Sequence, residues 1–212
     1  AQWRHVGTAD LGRHEFLRQV IEYSLLAAHR HVFGVFFWFV LLATLGLGPA
    51  GAVLYRMSEF ASRYWAYKSR AVGLPPNDRL TQLSSRLFGM LDHVPARLTA
   101  FGFAVVGNFE EAITCWRRDS GLWEVENEGV VLAAAAGAIG VQLGGASDAD
   151  GEAMRARQFD DIGMPEAVST EGSTTGAAPA LSHLRSVVGL VWRSVVLWML
   201  LLALLSLANL IG

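Results

Sequence analysis

Apolar residues gather in two long uncharged runs, and polar residues gather between them. The first run, Val32 to Tyr55, holds twenty-four residues without a charge and is bounded by Arg30-His31 and Arg56. As one helix at roughly 1.5 Å per residue it would reach about 36 Å, enough for a hydrocarbon core of about 30 Å. Phe36, Phe37, Trp38 and Phe39 load one half. Gly46, Gly48, Pro49 and Gly51 occupy the other, where they weaken a helix unless neighbours re-satisfy the backbone. The second run, Ser194 to Gly212, is uncharged over nineteen residues, with Arg193 and Trp198 at its start suited to a membrane interface. Two such runs predict a membrane protein rather than a large soluble core.

The segments between them predict further helices. Leu17, Val20, Ile21, Ser24 and Leu25 fall on one face of a helix from Asp10, opposite Arg13, His14, Arg18 and Glu22. That helix makes 1–31 an amphipathic lead-in to a span over 32–55. His29 and His31 sit two apart, which puts them on different helix faces, so they read as interfacial polar residues rather than a metal pair. Leu74-Pro75-Pro76-Asn77 is a break, and Asp78 opens an amphipathic helix with Leu80, Leu83, Leu87 and Leu91 as its stripe. Pro95 suits the first turn of another helix, where its missing N–H costs nothing. Leu98 to Phe109 is uncharged but short for a span, and reads as buried, re-entrant or part of a longer tilted helix. Gly129 to Ser147 is mostly Ala and Gly, which lets helix backbones approach closely, so it reads as a helix packed inside the protein. A phosphate-binding glycine loop at Gly137, Gly140, Gly144 and Gly145 is the lesser alternative, because the spacing matches no known fingerprint.

Composition sharpens this picture. Charged residues make up 17% of the 212, against about 25% in soluble domains. The net charge of −2 argues against a nucleic-acid partner. Cys115 is the single cysteine, so it forms no intrachain disulfide and reads as a packing residue. Between Arg56 and Arg97 seven Lys/Arg face three Asp/Glu, and the positive-inside rule places 56–97 in the cytoplasm. Residues 146–182 carry seven Asp/Glu and two Arg and read as a polar, acidic, extramembrane loop. Asp160-Asp161 within it reads as a solvated pair rather than a cation site. The expected architecture is all-α. It is a single polytopic membrane domain with interfacial amphipathic helices, spans at 32–55 and 184–212, and buried or membrane-associated helices over 98–145. Without an initiator Met, the chain reads as the C-terminal part of a longer protein.

Four blocks, GPAGAVLYR, YWAYK, RL…DHVPARLTA and GAIGVQLGG, come in that order from Gly48 to Gly145. In order and spacing they resemble the CobD/CbiB-type membrane family of adenosylcobinamide-phosphate synthases. AmpE-type membrane proteins share the same framework. The resemblance covers about Leu26 to Gly145 and implies a multi-pass protein of a bacterial inner membrane, active in cobalamin biosynthesis. The implied reaction joins aminopropanol to a corrinoid carboxylate as an amide, with ATP and Mg²⁺ required if that synthase activity is retained. No cofactor is otherwise evident and no metal ligand set is expected; the bilayer and a corrinoid substrate are the implied partners. Matching positions are Tyr67, Lys68, Arg86, Pro95, Arg97, Thr99, Gly137, Gly140, Gln142, Gly144 and Gly145. Of these the resemblance assigns substrate or phosphate binding to Lys68, Arg86, Arg97, Tyr67, Thr99 and Gln142, with the catalytic residues unassigned.

The acidic positions of that pattern are replaced. His29, Arg30, His31, Val32, Phe33 and Gly34 stand where such synthases carry an ENxSDG-like stretch, and only the glycine matches. Glu59 and Ser62 stand in place of an Asn and an Asp, and Phe88 and Gly89 in place of paired Asp residues. The expectation is therefore a catalytically divergent family member. An AmpE-like, non-catalytic signalling modulator is the alternative.

Overall fold

The structure, a computed structural model, describes residues 2–71, 79–145 and 172–211. Among them the fold is helical, with no strand and two isolated bridges, Val141 with Ala177 and Gly144 with Ser173. The helices are α1 (Gln2–Ala28), α2 (Gly34–Ala43), α3 (Pro49–Ala71), α4 (Arg79–Val106), α5 (Phe109–Asp119), α6 (Glu126–Ile139) and α7 (Leu181–Ile211). A π-helical turn, His29–Phe33, joins α1 to α2 without a break, and a 3-10 turn, Ser120–Leu122, follows α5. The chain divides into two compact units, one from Ala27–Thr99 and one from Ala1–Leu26 with Ala100–Gly212. The Pro75-Pro76 break and the Asp160-Asp161 pair lie outside the described residues.

In the unit Ala27–Thr99, the run Val32 to Tyr55 is not one helix, contrary to expectation. Gly46 takes a left-handed φ of 78° after α2. The Leu47 N–H then bonds Leu42 O at 2.8 Å and the Gly46 N–H bonds Ala43 O at 3.0 Å. This closes a Schellman-type stop in which only glycine is unstrained. Pro49 opens α3 at the first helical position, where no N–H is needed. The glycine–proline half thus turns the chain, and α3 runs back along α2. The segment long and apolar enough to cross a bilayer is instead His14–Ala43, thirty residues through the π turn.

Pro95 also departs from expectation. It lies inside α4, which continues unbroken from Arg79 to Val106 and includes Leu98 as well as Asp92. A proline removes the bond to the carbonyl four residues back, here Leu91 O. The indole N–H of Trp38 on α2 donates to that carbonyl at 3.1 Å. The polar group freed by Pro95 is satisfied across the helix pair, so the helix need not end there.

In the other unit, Leu17, Ile21 and Leu25 of α1 are buried, as their spacing predicts. Asn108 caps α5, accepting from the Glu111 N–H at 3.4 Å, with Glu110 and Glu111 in the first turn and Arg117 and Arg118 in the last. α6 is buried along Gly129–Ala138. It packs on α5 so closely that a Cβ at Gly137 would collide with the Glu111 carbonyl. Its fourteen residues reach only about 21 Å, so it is an internal helix and too short to span. α7 contains the second span-length segment, Leu181–Ala208.

Trp38→Phe leaves Leu91 O without its donor and costs about 1–3 kcal/mol. In a Pro95→Ala background the restored backbone N–H serves that carbonyl, and the loss shrinks. Thermal unfolding of the two single variants and the double variant in detergent measures the coupling. Strictly additive losses would overturn the assignment.

Candidate functional site

The π turn sets the first site residue. The Gly34 N–H bonds His29 O five residues back, so the helix is locally underwound and the side chain of His29 is buried among its own unit's helices. Gly34 then leaves room for Tyr55, because a Cβ there would collide with the Tyr55 ring. Tyr55 also packs its ring at 5.6 Å from that of Phe88 on α4.

His29, Tyr55, Asp92 and Thr99 meet in the interior, each 3% exposed or less. The His29 Nε2–H donates to Asp92 Oδ1 at 2.9 Å, and the Tyr55 hydroxyl donates to the same oxygen at 2.7 Å. His29 Nδ1 lies 2.9 Å from Thr99 Oγ1, and that hydroxyl lies 2.9 Å from Pro95 O, to which it can donate. Because a carboxylate only accepts, the proton on Nε2 is required by the geometry. Two arrangements satisfy the rest. Thr99 donates to Pro95 O and a protonated His29 donates to Thr99, or Thr99 donates to Nδ1 of a neutral ring. Burial by itself would raise the Asp92 carboxyl, but the hydrogen bonds and charge of His29, and the bond from Tyr55, hold it below the ordinary carboxylate range.

One turn along α3, Glu59 is buried. Arg56 bonds its Oε2, and Arg63 approaches Oε1 at 3.2 Å. The Arg56 guanidinium also donates to Nδ1 of His31 at 2.6 Å. Asp92 Oδ1 is therefore committed to internal donors, and Glu59 is ion-paired with both arginines while its buried Oε1 makes no hydrogen bond. Among the described residues no three His, Cys, Asp or Glu side chains gather around one point. Magnesium is usually held by one or two open carboxylates beside phosphate and water oxygens, and Asp92 and Glu59, both buried and paired within the fold, are not open in this way.

The six residues singled out by resemblance do not converge. Thr99 is built into the buried network. Lys68 lies over the rings of Trp65 at 5.2 Å and Tyr64 at 5.9 Å, on the same exposed part of α3 as Tyr67. Arg86 is exposed on α4, and Arg97 is half-buried with its guanidinium on His93 O at 3.0 Å. Gln142 belongs to the other unit, where its amide donates to Ser173 Oγ at 2.9 Å. His29, read from sequence as an interfacial residue, is the one that sequence reasoning missed. An i, i+2 argument about a metal pair does not test a single buried histidine against partners sixty-three and seventy residues away.

In that other unit the glycine block is not a phosphate loop. Gly140 ends α6 in a left-handed conformation. The four following N–H groups are taken: Val141 bonds Ala136 O, Gln142 bonds Ala177 O, Leu143 bonds Thr174 Oγ1 and Gly144 bonds Glu22 Oε1. Arg18 donates to Gly144 O at 2.7 Å. Arg18 and Glu22, expected on the polar face of α1, thus tie that helix to the loop. Burial pushes the Cys115 thiol up, in keeping with a packing residue.

The family model for the CobD/CbiB protein matches residues 6–173. The chain belongs to the CobD/CbiB family. It is 34% identical over 195 residues to the cobalamin biosynthesis protein CobD of Stutzerimonas stutzeri, covering 92% of this chain and 56% of that relative. It is 35% identical over 148 residues to the protein of that name from Chromobacterium violaceum, covering 68% and 43%. A third, from Leptospira interrogans, is 29% identical over 103 residues, covering 46% and 31%. The chain spans about half the length of the curated relatives it matches. No solved structure matches it. These relatives lend no support to the AmpE-like alternative. Family membership and two span-length apolar helices together make this chain read as a membrane protein.

His29→Ala leaves the Asp92 charge buried with one donor fewer, and a loss of about 3–5 kcal/mol is expected in thermal or denaturant unfolding. The network also sets an acid limit. A carboxyl held low in the folded state contributes stability above its unfolded value of about 3.9, and loses it as pH falls through the folded value. Unfolding midpoints measured downward from pH 7 should fall below about pH 4. Asp92→Asn should flatten that limb, and an unchanged limb would refute the assignment.

Proposed function

We propose that this chain belongs to a multi-pass protein of a bacterial inner membrane that acts in cobalamin biosynthesis. The observation that carries this reading is the 34% identity, over nearly the whole chain, to a relative named for that pathway. The family-implied step is attachment of aminopropanol to the corrinoid acid. Within it, Lys68, Arg86 and Arg97 act as cations for anionic groups of the corrinoid. Asp92 and Glu59 are engaged internally and are not offered to a metal ion. The described residues supply helical scaffold and separate cations.

The test is complementation. The full-length protein is expressed in a bacterium lacking its adenosylcobinamide-phosphate synthase, and growth that depends on cobalamin made from cobyric acid is scored. Rescue is expected. Lys68→Ala or Arg97→Ala should lower the corrinoid-dependent rate about 10- to 100-fold, the equivalent of one charge-assisted hydrogen bond each. Failure to rescue at normal membrane levels would overturn the proposal and favour a non-catalytic modulator.

A further inference from the structure

Two guanidiniums share one carboxylate on α3. Arg56 and Arg63 lie one turn before and one turn after Glu59, and both pair with it. Arg56 bonds Oε2, while Arg63 approaches Oε1 at 3.2 Å as a charge contact without a hydrogen bond. The carboxylate is inside the fold and the cations are not: the Glu59 side chain is 3% exposed, and those of Arg56 and Arg63 are 44% and 42% exposed. The Arg56 nitrogen that bonds Glu59 also donates to Nδ1 of His31 at 2.6 Å. An accepting Nδ1 puts the ring proton on Nε2, so the exposed imidazole of His31 is neutral and keeps an N–H donor on its other nitrogen. Arg30 adds a third positive charge in the field of His31. Asp92, the other acid within reach of Arg30, is held by His29 and Tyr55. One buried carboxylate thus gathers two half-exposed cations and an imidazole, and cancels only one of the charges it gathers.

We propose that Arg56, Arg63 and His31 form a binding site for a phosphate group, with Glu59 as the buried anchor that positions both guanidiniums. Ordering a long side chain costs rotamer entropy, and the pairing with Glu59 meets that cost before a ligand arrives. The uncancelled charge selects an anion. A guanidinium fork matches phosphate oxygens, and a tetrahedral phosphate accepts from several directions, which suits two arginines and a ring N–H. The place in the chain argues the same way. Arg30 and His31 fall near the middle of the apolar segment His14–Ala43, and charged groups in such a segment either pair or line a route for a polar ligand. Pairing through Glu59 leaves the cations half exposed, which is the state of a ligand face rather than of a closed structural pair. None of these residues belongs to the set that the resemblance assigned to substrate, and the inference stands on the geometry of this unit, independent of the cobalamin reading. The phosphate belongs to a soluble phosphomonoester or to a phospholipid headgroup, and the chemistry that holds it is the same.

The probe is inorganic phosphate, titrated calorimetrically into the full-length protein in neutral detergent at fixed ionic strength, with acetate as the comparison. Saturable binding of phosphate, several-fold tighter than that of acetate, is expected. Arg63→Lys keeps a positive charge beside Glu59, and with it the fold, but loses the planar fork; the affinity should fall about 10-fold. His31→Phe removes the ring donor and should weaken binding several-fold. Arg117→Gln, at an exposed position of α5 in the other unit, should leave the affinity unchanged. No saturable binding, acetate bound as tightly as phosphate, or an affinity unmoved by both Arg63→Lys and His31→Phe would overturn the proposal. Titration in phosphatidylcholine vesicles with and without phosphatidylglycerol separates the two sources. Phosphate binding lost when phosphatidylglycerol is added assigns the site to a lipid headgroup, and binding kept in both assigns it to a soluble phosphomonoester; either result supports the site. A protein that fails to restore cobalamin synthesis yet binds phosphate in this pattern keeps this inference and loses only the functional one.

Discussion

One carboxylate oxygen holds the unit Ala27–Thr99 together. Oδ1 of Asp92 accepts from His29 in the π turn and from Tyr55 on α3, so three stretches of chain meet at a single acceptor. Ionised groups are costly to bury unless every partner is in place. Each local oddity nearby serves that demand. The π turn rotates His29 inward, Gly34 makes room for Tyr55, and Thr99 closes the far side of the imidazole. Pro95 would leave Leu91 O unsatisfied one turn from Asp92, and Trp38 covers that carbonyl. Such a network is a specificity device, because a shifted register would strand a charge.

The same logic governs the neighbouring Glu59 and, in the other unit, Glu22. Each buried carboxylate has its donors within the fold: Arg56 and Arg63 for Glu59, and the Gly144 N–H for Glu22. Carboxylates used in this way are not available to a metal ion. Most positions where the resemblance predicted acidic or amide ligands hold other residues, and Asp92 and Glu59, the acids that remain nearby, are buried and paired within the fold. The cations Lys68 and Arg86 stay on exposed faces. The likeness to cobalamin proteins and the lack of a metal-binding carboxylate cluster among the described residues are therefore compatible.

Much of this was legible in the sequence. Long uncharged runs require either lipid or a large core, and low charge density favours lipid. The 3.6-residue spacing of Leu17, Ile21 and Leu25 gave a buried helix face, the Ala/Gly content of 129–138 gave a closely packed internal helix, and ordered motifs gave the family. These features depend on composition and short-range periodicity, which the chain carries locally. Whether Val32 to Tyr55 would span as one helix or turn at Gly46 depended on the φ of one glycine and two carbonyl bonds, which composition does not report. Whether Pro95 would start a helix or sit within one depended on a tryptophan fifty-seven positions earlier. The pairing of His29 with Asp92 and Thr99 lies across sixty or more residues, and no local pattern encodes it. Tertiary structure decided these points because the energy of a buried polar group is set by its partners, and the partners come from distant parts of the chain.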